Sequence, residues 1–228
     1  MSDTIKGGHL LAKGGIDMLA SYLTVKGYGE HEITIQKSRF IAYIERVTTE
    51  EEAQAFIEKI KKKHWDAAHN CSAYMIGERD QIQKANDDGE PSGTAGVPML
   101  EVLKKRGLKD TVVVVTRYFG GIKLGAGGLI RAYGSATSEG LNETGIVERK
   151  LMQIFKTTVD YTWLGKLENE LRSSRYLIKE IHYLEQVEIE TYVASGEEEA
   201  FTAWMTDLTN GQAEIAKGEQ EYLEEEAG

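Results

Sequence analysis

Residues 111–136 constrain this chain more than any other stretch. They read TVVVVT and then RYFGGIKLGAGGLIRAYGSA. A run of four valines flanked by threonines is a buried strand, central in its sheet. Of the twenty residues that follow, Gly120, Gly121, Gly125, Gly127, Gly128, Gly134 and Ser135 are small and poor helix formers, while Arg117, Lys123 and Arg131 are cations. A turn alone would need one or two glycines. The excess asks what this backbone approaches, and two answers stand level: an anion cradled by exposed N–H groups beside a helix start, or close packing of helix on sheet. The common nucleotide patterns are absent. Gly120 is followed five on by Gly125 and then Ala126, not the Lys of a P-loop. Gly125-Ala-Gly127 meets Ile130 where a dinucleotide fold needs its third glycine.

Alternation places this stretch among other elements. Segments 31–36 and 38–47 read as strands, and 48–64 as a helix with a threonine cap, early glutamates and late lysines. Segments 69–77 and 81–86 read as a hairpin around Gly77–Asp80. A helix over 93–107 enters through a Gly-rich turn and stops at Gly107, and 126–144 forms another. Beyond residue 150 the pattern is a strand (152–161), a helix (163–174), two strands within 176–195, a helix (196–211) and a last strand from Gln212. That βαββαβ order is the split, ferredoxin-like arrangement. The fold class is therefore α/β (α+β) in two domains, 18–150 and 151–228, with no sheet crossing residue 150. Residues 1–17 lack a clear period and read as an expression leader or a disordered arm. The tail EQEYLEEE reads as a solvated acidic end.

Charge divides the chain at the same place. Residues 1–150 hold 21 Lys and Arg against 20 Asp and Glu, whereas 151–228 hold 6 against 17. The net charge of −10 argues against general affinity for nucleic acid. Within 100–135, however, seven cations face two anions, a local basic island. One cysteine, Cys71, excludes an internal disulfide framework and fits a reducing compartment. No signal peptide or membrane-length apolar run is seen, so the expected location is cytoplasmic.

A second constellation is NDDGEPSGTAGVP, residues 86–98. Asp87, Asp88, Glu90, Ser92 and Thr94 offer oxygens ahead of a helix start. They read either as a capped turn or as a polar site able to hold a metal or a hydroxyl ligand. The spacing is not that of an EF-hand. His69 and Cys71, two apart in a strand, share one face, with His64 nearby. Two local ligands fall short of a structural zinc site, and neither a metal nor a cofactor is expected.

The blocks DDGEPSGTAGVPML (87–100) and VVVVTRYFGGIKLGAGGLIRAYGSA (112–136), with SRFIAYI and HNCSAYMIG before them, closely resemble the IMPACT family in its bacterial, YigZ-like branch. The resemblance covers residues 18–225. It implies a first domain like the second domain of ribosomal protein S5 and domain IV of elongation factor G. It implies a second, ferredoxin-like domain as in domain V of that factor. Eukaryotic relatives regulate translation through an additional domain that this chain does not contain, and bacterial members have no settled activity.

Two functions follow. The first is a non-enzymatic protein that binds RNA or the ribosome and regulates translation, with a translation-related protein as a further partner. Its binding residues would be Arg117, Gly120, Gly121, Lys123, Gly125, Gly127, Gly128 and Arg131. The second is a small-ligand, phosphate-binding protein or enzyme that uses the same glycine loop with Asp87, Asp88 and Glu90. No complete catalytic set is present.

Overall fold

The computed structural model describes residues 18–227, so expectations for residues 1–17 fall outside the described residues. The chain divides into two compact units, one built on Tyr22–Arg149 and the other on Lys150–Glu224. The fold is mixed α/β, with two five-stranded sheets and, among the described residues, five helices.

In the first unit, β2 (Gly29–Ile35), β3 (Ser38–Arg46), β4 (His69–Ile76), β5 (Ile82–Asn86) and β6 (Thr111–Tyr118) form one antiparallel sheet in the order β2-β3-β6-β4-β5. The valine run is thus the central strand, as the sequence implies. Its side chains alternate between two cores. Val113 and Val115 join Phe40, Ala42, Ile44 and Cys71 beneath α2 (Gly96–Lys105) and α3 (Gly125–Thr144). Val112 and Val114 join Ile41, Tyr43 and Tyr74 beneath α1 (Glu50–Lys63). A strand apolar on both faces is stable only when both are covered, and the helices supply the two covers.

Local sequence explains these helices. α1 opens on a full capping box, Thr49 with Glu52, has Glu50–Glu52 in its first turn and Lys61–Lys63 in its last, and buries Ala53, Phe56, Ile57 and Ile60. α3 packs through Ala132, Tyr133, Ala136, Thr137, Gly140 and Leu141. At Gly140 a Cβ would stand 2.8 Å from the Ala42 Cβ. That contact is closer than a side chain tolerates, so glycine there sets the spacing of helix and sheet.

The C-terminal unit follows the expected element order with β7 (Ile146–Val159), α4 (Tyr161–Arg172), β8 (Leu177–Tyr183), β9 (Val187–Ala194), α5 (Glu198–Leu208) and β10 (Glu214–Glu226). Its strands run β8-β9-β7-β10. Phe155, Leu167, Tyr176, Ile189, Phe201 and Met205 form its core. Two expectations need correction. β7 begins at Ile146 and runs unbroken past residue 150, so a strand does cross that position; β1 (Ser21–Val25) is the first element among the described residues. Ile146 and Val147, β-branched and placed directly after the Gly145 stop, start the strand before the composition changes. The acidic tail is strand as far as Glu226, because ladder bonding to β7 outweighs its poor β-propensity.

Candidate functional site

The two glycine-bearing segments meet in the first unit. The turn after β5 and the start of α3 together wall a cavity of roughly 430 Å³, lined by His69, Glu90, Arg117, Phe119, Lys123 and Leu129 among others. Its polar centre is an ion pair. Arg117 Nη1 donates to Glu90 Oε1 at 2.6 Å, and the Tyr133 hydroxyl donates to the same oxygen at 2.8 Å. The Arg117 and Glu90 side chains are only 8% and 3% exposed. The Arg117 guanidinium also lies 5.5 Å from the ring centroids of both Phe40 and Phe119. Arg117 is therefore not a surface cation: its charge is balanced by Glu90.

The three carboxylates of the 87–90 turn do not converge. Asp87 accepts from the amides of Gly93 at 2.7 Å, Ala95 at 3.0 Å and Gly96 at 2.9 Å, and so caps α2. Burial works against this carboxylate, but the three amides outweigh it and hold its pKa below the ordinary value. Asp88 accepts from Lys61 Nζ at 2.9 Å and from the Asn70 amide at 2.7 Å. Burial again opposes ionisation, and Lys61 and Asn70 reverse it. Glu90 is held by Arg117 and Tyr133. With each carboxylate committed to a different partner, Asp87, Asp88 and Glu90 have the geometry of the capped turn, the first of the two readings, and the turn is a clamp. Thr94 belongs to it, its hydroxyl donating to the Pro91 carbonyl at 2.6 Å, while Ser92 is exposed.

His69 and Cys71 share a face as expected, and both serve the clamp. His69 Nδ1 bonds the Asp88 carbonyl at 2.8 Å, and the Cys71 thiol donates to the Asp87 carbonyl at 3.0 Å. Burial pushes the Cys71 thiol up to about 12. A neutral, buried thiol reacts slowly, so Cys71 should resist a thiol-specific disulfide reagent in the native protein and react fully once unfolded. Rapid native labelling would contradict the geometry. His64 stands apart in the α1 layer, between the hydroxyls of Tyr43 at 2.6 Å and Tyr118 at 2.8 Å.

The start of α3 differs from the other helix starts. α1 and α4 have side-chain caps, α2 has Asp87, and α5 has Glu198 and Glu199 in its first turn. α3 has neither a side-chain cap bond nor an acidic residue in its first turn. Lys123 and Arg131 flank it, both exposed and without an ion pair among the described residues. Phe119, Ile122 and Ile130 are 51%, 41% and 44% exposed. Tyr133 and Phe119 are contributors that reading by residue type passed over. Tyr133 falls on the inward stripe of α3, where a hydroxyl needs a partner.

Comparison with known proteins agrees with the resemblance. The Impact N-terminal domain matches residues 36–141, and a domain of unknown function, DUF1949, matches residues 157–212. IMPACT family member YvyE of Bacillus subtilis is 72% identical over 207 residues, which is 91% of this chain and 95% of that protein. IMPACT family member YigZ of Escherichia coli is 33% identical over 183 residues, 79% and 90% of the two chains. Protein IMPACT of Mus musculus is 36% identical over 98 residues, covering 41% of this chain but 30% of the mouse protein. A solved structure described as that of a hypothetical protein superposes with TM-score 0.57 at 31% identity, over 90% of this chain and 100% of its own. With near-full-length similarity on both sides, this chain belongs to the IMPACT family.

Proposed function

We propose that the chain is a non-enzymatic RNA-binding protein acting in translation, and that the start of α3 is its RNA-contacting face. Membership of a family that includes Protein IMPACT supports the translation-related role. One observation carries the choice of face: an uncapped helix start without acidic residues is flanked by two unpaired cations and three exposed apolar side chains. Amides and cations bind phosphates, and an exposed aromatic ring offers a stacking surface for unpaired bases. The strand order β8-β9-β7-β10 fits the ferredoxin-like reading of the second unit and, with it, the likeness to elongation factor G.

Because Arg117 is neutralised by Glu90, the phosphate contacts fall to Lys123 and Arg131. Filter binding of single-stranded RNA across a salt series should give a linear loss of log affinity with log salt. In Lys123→Ala/Arg131→Ala the slope should be smaller by about 1.4, two phosphate contacts at roughly 0.7 each. An unchanged slope in a folded double variant would refute this face.

A further inference from the structure

We propose that the cavity at the start of α3 receives a terminal phosphate monoester attached to a nucleoside, either the end of an RNA or a free mononucleotide. The proposal rests on reading the α3 start as phosphate-binding and adds the form of phosphate it takes.

The observation that leads there is Arg117. Its side chain is more than nine-tenths buried and walls the cavity. Nη1 is spent on Glu90, yet Nε is buried with no acceptor, and among the described residues nothing accepts from Nη2. A buried guanidinium normally satisfies its donors. Arg117 walls the space that also meets Lys123 and the first turn of α3; Nε is sealed from it, so Nη2 is the donor left for a ligand there. Since Arg117 and Glu90 cancel, Lys123 and the helix start leave the cavity positive.

Concavity selects the end of a chain. A phosphodiester within a strand is flanked on both sides and reaches a surface, whereas a terminal monoester can enter a recess. It also carries a charge of about −1.5 to −2 and three acceptor oxygens. Phe119 and Leu129 add apolar walls against which an attached base can lie. His69 completes the wall. The Asp88 carbonyl can only accept, so in the neutral ring the proton sits on Nδ1. Nε2 then lies 3.8 Å from Glu90 Oε2, close enough for a ribose hydroxyl to bridge the two. Gly127 leaves room for the phosphate, because a Cβ there would contact only Arg131 Nη1, at 3.6 Å.

The test compares one short RNA bearing a 5′-phosphate, a 3′-phosphate or hydroxyls at both ends, by fluorescence anisotropy with the label at the opposite end. AMP and adenosine serve as competitors. A phosphorylated end should bind at least tenfold more tightly than the hydroxyl form, and AMP but not adenosine should compete. Lys123→Ala and Gly127→Asp should each abolish the difference. The new carboxylate in Gly127→Asp would cap α3 and repel phosphate, so this variant should melt no lower than the parent while losing binding. Competition by AMP at the affinity of the RNA end identifies a free nucleotide as the ligand, and a much tighter RNA end identifies RNA. Equal affinity for phosphorylated and hydroxyl RNA, with no competition by AMP, overturns the proposal and leaves the RNA-binding face standing. Absence of any RNA or AMP binding removes both.

Discussion

Glu90→Ala is expected to lower the unfolding free energy by about 3–5 kcal/mol, measured by urea titration. The substitution leaves two orphans. Arg117 stays more than nine-tenths buried without its counter-charge, and Tyr133, fully buried, loses the acceptor of its hydroxyl. Burying a charge is unfavourable unless it is paired, and removing one partner exposes the whole penalty. Glu90→Gln should fall between parent and Glu90→Ala, because its amide oxygen still accepts while the charge is lost. Glu90→Met/Arg117→Met should recover most of the stability, since two apolar side chains replace both ions together. That double variant separates an uncompensated charge from a simple cavity. A loss below about 1 kcal/mol in Glu90→Ala would mean that water reaches and solvates Arg117.

The pairing of Arg117 with Glu90 also marks where legibility in the sequence ended. Strands and helices follow from local pattern: alternation in 38–46, the capping box of α1, the glycine stops after α2 and α3. The partners inside the site stand 27 and 43 residues from Glu90 along the chain, and no local rule pairs them. One signal was available. Val113, Val115 and Arg117 alternate on one side of a strand, so Arg117 continues the face that α2 and α3 cover and had to enter the interior with a counter-charge. The basic island of residues 100–135 hid this, because a count of cations does not distinguish an inward Arg117 from an outward Lys123. The carboxylates of 87–90 show the same limit, since both readings of the turn stayed open in the sequence. Though close along the chain, these side chains diverge because Asp88 has a positive φ of 43° and turns the chain between its neighbours. The run of β7 through residue 150 was missed because the charge changes there while the β-branched pattern does not.

The glycines of 120–128 answer the opening question in two ways, and the same substitution made at two of them should move stability in opposite directions. At Gly120 a Cβ would strike the Lys37 carbonyl and lie 2.5 Å from the Ser38 nitrogen. The Gly120 amide also donates to the Ser38 hydroxyl at 3.1 Å. The neighbour is backbone and cannot rotate aside. It belongs to the tight turn between β2 and β3, where Gln36 and Lys37 already hold positive φ of 45° and 66°, the left-handed geometry such turns demand. Gly120→Ala must therefore displace either that turn or the exit of β6, a loss of about 2–3 kcal/mol. Gly127 is helical, its backbone needs no positive φ, and its Cβ would meet only the end of Arg131. Gly127→Ala should accordingly gain about 0.5–1 kcal/mol from helix propensity. Gly120 is thus a packing glycine whose neighbour is the protein itself, while packing and conformation leave Gly127 unexplained, at the place the proposed ligand would approach. Thermal melts of the two single variants decide the matter: equal effects at both positions would break the distinction, and a loss in Gly127→Ala would return that glycine to packing.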